Sequence, residues 1–162
     1  MKAVLSALAI IVLSAAPALA DDEEAAVGAT LDALHAAAAA ADGATYFALF
    51  TPDARFIGTD ATERWSLAEF RAYAEPYFNR GQGWTYAPRD RVITLAPIDC
   101  RCIAWFDEAL DNSSYGETRG SGVLRLTDDG WKIEQYVLSF AVPNDVARDV
   151  VAVIRDAGAA GD

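Results

Sequence analysis

The chain has 162 residues, 24 of them acidic and 13 basic, for a formal net charge of −11, and 53% of its residues are hydrophobic. That length supports one domain with a sizeable core. The acidic balance repels phosphate backbones and anionic lipid, which argues against nucleic acid or a membrane surface as partner.

In chain order, Met1 to Ala20 reads as a leader: Lys2, an apolar run from Ala3 to Leu13, and the small-residue close Ala18-Leu19-Ala20. This is the order of a secretory signal peptide with an A-x-A cleavage site. The rival reading is a membrane anchor, but Ser6, Ser14 and Pro17 interrupt the run and four acids, Asp21 to Glu24, follow at once. Cleavage after Ala20 is therefore expected, with the product exported to a bacterial periplasm or secreted and carrying no membrane attachment. Residues 21–157 form the expected domain and 158–162 a frayed tail.

Asp22 to Ala41 predicts a long amphipathic helix, because Val27, Leu31, Leu34 and Ala38 recur at helical spacing. A short helix over Ala44 to Phe50 follows, then a turn at Thr51-Pro52-Asp53, a strand over Ala54 to Gly58, and a polar loop from Thr59 to Arg64. Ser66-Leu67-Ala68-Glu69 fits a capping box and starts a third helix with an aromatic face of Phe70, Tyr73, Tyr77 and Phe78. Pro76 should kink or end that helix. Four strands are expected over Thr85–Leu95, Cys100–Asp111, Glu117–Leu126 and Trp131–Val142, with a terminal helix over Asp145–Ala157. Helices first and an antiparallel meander afterwards is an α+β pattern.

Cys100 and Cys102, one residue apart in an expected strand, read as a reduced, packed pair, since residues i and i+2 of a regular strand do not aim their sulfurs at each other. A CxC bridge is the alternative that an oxidising compartment favours. No metal site is expected, because the only histidine, His35, is distant in sequence. No cofactor is expected either: Gly120-Ser121-Gly122 lacks the helix and third glycine of a dinucleotide loop.

Two blocks carry a resemblance. Pro52-Asp53-Ala54-Arg55-Phe56-Ile57-Gly58-Thr59-Asp60 with Glu63-Arg64-Trp65 is one; Arg119-Gly120-Ser121-Gly122-Val123-Leu124 through Gly130-Trp131-Lys132-Ile133 is the other. Together they resemble the SnoaL-like branch of the nuclear transport factor 2-like superfamily over about Glu24 to Val142. The resemblance implies a cone-shaped fold, a curved antiparallel sheet wrapped around three helices, often in a homodimer joined through the sheet. The superfamily holds isomerases, cyclases, dehydratases and non-catalytic members, so the fold alone does not decide function. The positions matching the isomerase base and acid fall near Gly58 and Gly122, and those matching two histidines on the last strand are Gln135 and Val137. None of these four can act as a general base near neutral pH.

The favoured reading is an exported pocket protein for a small apolar or amphipathic molecule. The alternative is a lyase, isomerase or cyclase working by acid–base catalysis on a small hydrophobic substrate. Candidate catalytic groups are Asp107, Asp60 and His35. Candidate ligand-binding residues are Trp65, Tyr73 and Tyr77, whose rings combine apolar area with polar tips, together with Trp105, Arg119 and Gln135. Strict alternation turns Trp131, Ile133, Gln135 and Val137 inward on the last strand. On the strand from Cys100 it leaves two options, with Trp105 and Asp107 inside, or Phe106 and Glu108 inside and Asp107 paired with Arg119 on the other face.

Overall fold

A computed structural model describes residues 16–159. Most of the expected leader, residues 1–15, and the end of the tail, residues 160–162, lie outside the described residues. Among the described residues no helix is long and apolar enough to cross a membrane.

The chain runs α1 (Ala16–Ala39), α2 (Gly43–Ala48), β1 (Phe50–Ile57), β2 (Arg64–Ser66), α3 (Leu67–Phe78), β3 (Ala87–Leu95), β4 (Ile103–Asn112), β5 (Gly116–Thr127), β6 (Gly130–Phe140) and α4 (Ala147–Ala159). The alanine-rich α1 buries Val27, Leu31, Leu34 and Ala38, the stripe that its sequence spacing predicts. Burying such a Val or Leu side chain contributes about 1.5–3 kcal/mol. Asp42 caps α2 by accepting from the Thr45 amide at 3.0 Å. Ser66 and Glu69 form the expected capping box of α3. Pro76 does not break this helix; it ends two residues later at Phe78.

One six-stranded sheet, in the order β2-β1-β6-β5-β4-β3, curves over the helices. The expectation of a purely antiparallel sheet is corrected: β1 runs parallel to β6, and the other pairs are antiparallel. Everything from β2 to β5 forms the crossover that a parallel pair requires, and side-chain alternation reports faces, not strand direction. The expected turn at Thr51-Pro52-Asp53 lies inside β1, where the ladder to β6 slips between Phe50 and Arg55. Pro52, which has no amide to donate, sits within that irregularity. The three-residue edge strand β2 replaces the end of the expected polar loop.

The cysteine reading is also corrected. Cys100 and Cys102 form a disulfide and precede β4 rather than opening it. Between them Arg101 has a φ of 47°, so the backbone turns instead of extending, and the two Cα atoms lie 5.1 Å apart, within bridging reach. The C-terminal helix begins after a single 3-10 turn at Asn144–Val146 and continues to Ala159, past the expected start of the tail. Val151, Val153 and Ile154 on it are exposed.

A candidate binding cavity and its buried carboxylate

The curved sheet and the helices leave a cavity of about 210 Å³. Ten of its seventeen lining residues are aromatic. Several rings lie nearly parallel: Tyr136 on Phe56 at 8° between planes, Phe56 on Phe70 at 12°, Trp65 on Phe70 at 13° and Trp65 on Tyr73 at 22°. Each element contributes for a local reason. The aromatic face of α3 supplies Phe70, Tyr73 and Tyr77, β2 supplies Trp65, and α1 supplies Leu34, His35 and Ala38.

On β5 the inward positions Gly120 and Gly122 carry no side chain, and both are needed small. A Cβ on Gly120 would lie 2.5 Å from the Tyr136 hydroxyl, and one on Gly122 would lie 2.0 Å from the Gln135 carbonyl oxygen. The place where a protonated acid was sought in the sequence is therefore filled by neighbours. Gly58 is a similar case, since a Cβ there would lie 2.2 Å from the Glu63 carboxylate. Glu63 takes that volume and joins the cavity lining with Thr59.

Of the residues singled out from sequence, Trp65, Tyr73, Tyr77 and His35 come together around the cavity. The others do not. Asp107 lies on the outer face of the sheet, where its carboxylate accepts from Arg119 Nη1 at 2.8 Å, and both side chains are about half exposed. Trp105 shares that outer face and is 44% exposed. Asp60 stands in an exposed turn, where hydrogen bonds from the Thr62 hydroxyl and amide hold its carboxyl below the usual range. Gln135 fails for a different reason. The β5–β6 ladder shifts register between Val123↔Gln135 and Leu124↔Ile133, so one extra residue enters β6 and inverts the alternation beyond it. Tyr136 and Leu138, not Gln135 and Val137, then reach the cavity.

The inward set on β4 is Ala104, Phe106, Glu108 and Leu110, and Glu108 is fully buried. Its Oε1 lies 2.6 Å from His35 Nε2. Its Oε2 accepts from Arg91 Nε, also at 2.6 Å. Arg91 continues to Asp32 at 2.8 Å and to the Gly28 carbonyl at 3.1 Å on α1, which fastens β3 and β4 to that helix. Alternation on β4 allows Glu108 as one of two inward carboxylates, but spacing carries no sign of its pairing with His35, 73 residues away.

Burial governs the cavity tyrosines. Tyr136 is pushed well above the ordinary phenol range by desolvation, reinforced by the negative charge of Glu108. Tyr46 is raised by desolvation in the same way, and Tyr86 is pushed up to about 12, again chiefly by burial. At neutral pH these hydroxyls are neutral and able to donate.

Six strands curved over the helices, with a hollow between them, define the nuclear transport factor 2-like class of fold. Residues 27–143 match the SnoaL-like domain family, and the chain belongs to it. A candidate dehydratase of the nuclear transport factor 2-like family from Streptomyces avermitilis is similar in structure, with a TM-score of 0.64 at 15% identity over 76% of this chain and 99% of that one. A protein of unknown function from Mycobacterium tuberculosis superposes with a TM-score of 0.62 at 20% identity, covering 87% of this chain and 90% of that chain. A ketosteroid isomerase-like protein from Erwinia carotovora atroseptica gives 0.56 at 19% identity, covering 76% and 99%. At these identities the likeness is one of fold. A search of curated proteins finds no match to the sequence.

Proposed function

We propose that this protein binds a small, flat, apolar or amphipathic molecule in its aromatic cavity, and that it does so outside the cytoplasm. The observation that carries the reading is the set of near-parallel rings around about 210 Å³ of open space. Concave apolar sites with a few polar groups are where proteins hold small ligands, and aromatic walls favour flat ones. Export is supported by the leader-like first twenty residues and by the Cys100–Cys102 disulfide, which suits an oxidising compartment. A homodimer through the outer sheet face, where Trp105 and Val92 are exposed, completes the proposal; light scattering after gel filtration tests it.

Acid–base catalysis is the second reading. With Asp107 and Asp60 outside the cavity, its support is His35 at the cavity wall, paired with the buried Glu108 behind it. The binding reading is tested by native mass spectrometry and calorimetry with bicyclic aromatics such as naphthalene and 2-naphthol. Saturable one-to-one binding, weakened about tenfold or more in Trp65→Ala, is expected, because a central aromatic anchor accounts for about 2 kcal/mol or more in such sites. Absence of binding to every bicyclic probe would remove it.

A further inference from the structure

His35 has two ring nitrogens, and the fold has committed one of them. Nε2 is held 2.6 Å from Glu108 Oε1, and the other oxygen of that carboxylate is held by Arg91 at 2.6 Å. A carboxylate engaged by a permanent cation is an acceptor, so the proton of a neutral imidazole belongs on Nε2 and the lone pair on Nδ1. Among the described residues Nδ1 has no protein partner, while His35 itself lines the cavity. Glu108 is fully buried and the His35 side chain is 10% exposed, so the pair is fixed in place and largely shielded from bulk water.

From this we infer that the cavity recognises a hydroxyl on an aromatic or enolic ring, whose O–H donates to His35 Nδ1, with Glu108 and Arg91 as positioning residues behind it. The inference rests on the binding reading above and names its ligand class. Three features fit it together. The aromatic lining offers flat apolar surface, Tyr136 joins that lining with a hydroxyl that stays protonated at neutral pH, and the histidine supplies an acceptor on the same wall. A ligand lacking the hydroxyl would leave Nδ1 buried against an apolar group, and an unmet polar atom of that kind is penalised. Glu63 lies at a different part of the wall, over Gly58, and its Oε2 is occupied by the Asp60 amide at 3.2 Å.

Calorimetric titration of the full chain with three probes of nearly one shape tests this: 2-naphthol, naphthalene and 2-methoxynaphthalene. The expected result is that 2-naphthol binds about tenfold or more tightly than either of the others, the value of one well-placed hydrogen bond to a charge-backed acceptor. His35→Phe, which keeps a ring in place without the lone pair, should bring the three affinities to within about twofold. His35→Leu, which likewise has no acceptor, serves the same purpose should the Phe variant fail to fold. Glu108→Gln, which removes the charge that fixes the tautomer, should lower the ratio of 2-naphthol to naphthalene affinity. Equal affinities for the three probes in the unmodified protein would overturn the inference and leave the binding reading standing, as would a preference that persists in a folded His35 variant. Failure of all three to bind would overturn both.

Discussion

Removing the buried carboxylate tests the central structural argument most directly. Glu108→Ala leaves the Arg91 guanidinium, whose side chain is 16% exposed, and His35, at 10%, without their shared partner. It also opens a void beneath the sheet. Breaking a buried ion pair by deleting one member costs about 3–5 kcal/mol, and here Arg91 would keep only the exposed Asp32 and the Gly28 carbonyl as partners on its Nη1 while its Nε is left desolvated and unmatched. At this chain length about 3–4 °C of melting temperature accompanies each kcal/mol, so a fall of roughly 10–20 °C is expected. Arg91 Nη2 is already buried without a partner, so the network is not optimally satisfied, and replacing it whole should be far cheaper than breaking it. The variant carrying Glu108→Met, Arg91→Met and His35→Leu should therefore recover at least half of the loss. Circular-dichroism melts of the unmodified protein, the single variant and the triple variant read this out. A single-variant loss below about 1 kcal/mol, or a triple variant no more stable than the single one, would refute the account of Glu108 as a desolvated charge held by its neighbours.

Gly122→Ala should cost at least ~2 kcal/mol in urea unfolding, because the new Cβ would lie 2.0 Å from a carbonyl oxygen fixed in the β5–β6 ladder; an unchanged midpoint would contradict the packing described. Reduction of Cys100–Cys102 should lower stability by only about 1.5 kcal/mol, since the bridge closes a very short loop, and melts with and without reductant check this. Stability should be fully present below about pH 10 and fall above it: the folded state holds the phenolic protons of Tyr46, Tyr136 and Tyr86 beyond the unfolded value of 10.0. In an ultraviolet titration Tyr86 should ionise near pH 12, while Tyr46 and Tyr136 ionise only as the protein unfolds. Truncation after Pro143 removes α4, whose Val151, Val153 and Ile154 are exposed, and should move the melting temperature by less than about 3 °C, because almost no buried apolar surface is lost. A larger fall would mean that α4 is covered in solution.

What the sequence showed and what it hid divide along a physical line. Helix α1 was legible because Val27, Leu31, Leu34 and Ala38 obey one period without interruption, and the start of α3 because Ser66 and Glu69 carry their own hydrogen bonds. The family was legible because its two blocks, around Asp53 and around Trp131, fall within the matched span. The part of the cavity wall on α1, β2 and α3 was legible through Trp65, Tyr73, Tyr77 and His35, but the part on β6 was not, because it forms where the strand period fails. A single inserted residue near Gln135 reverses every later side chain on β6, and alternation read from Trp131 carries no record of that insertion. On β4 both faces hold an aromatic and an acid, Trp105 with Asp107 and Phe106 with Glu108, so hydrophobicity alone could not choose between them. The outer set holds two carboxylates, Asp107 and Asp111, and the inner set one, Glu108. That asymmetry was the available signal, because one buried charge can be matched by one histidine and one arginine while two would need a second pair of partners. Local rules give way at functional sites more often than elsewhere. In this fold the bulge in β6 turns Tyr136 and Leu138 into the hollow, Gly120 makes room for the Tyr136 hydroxyl, and Glu108 holds the cavity residue His35, so the failures of pattern reading converge on side chains that shape one site.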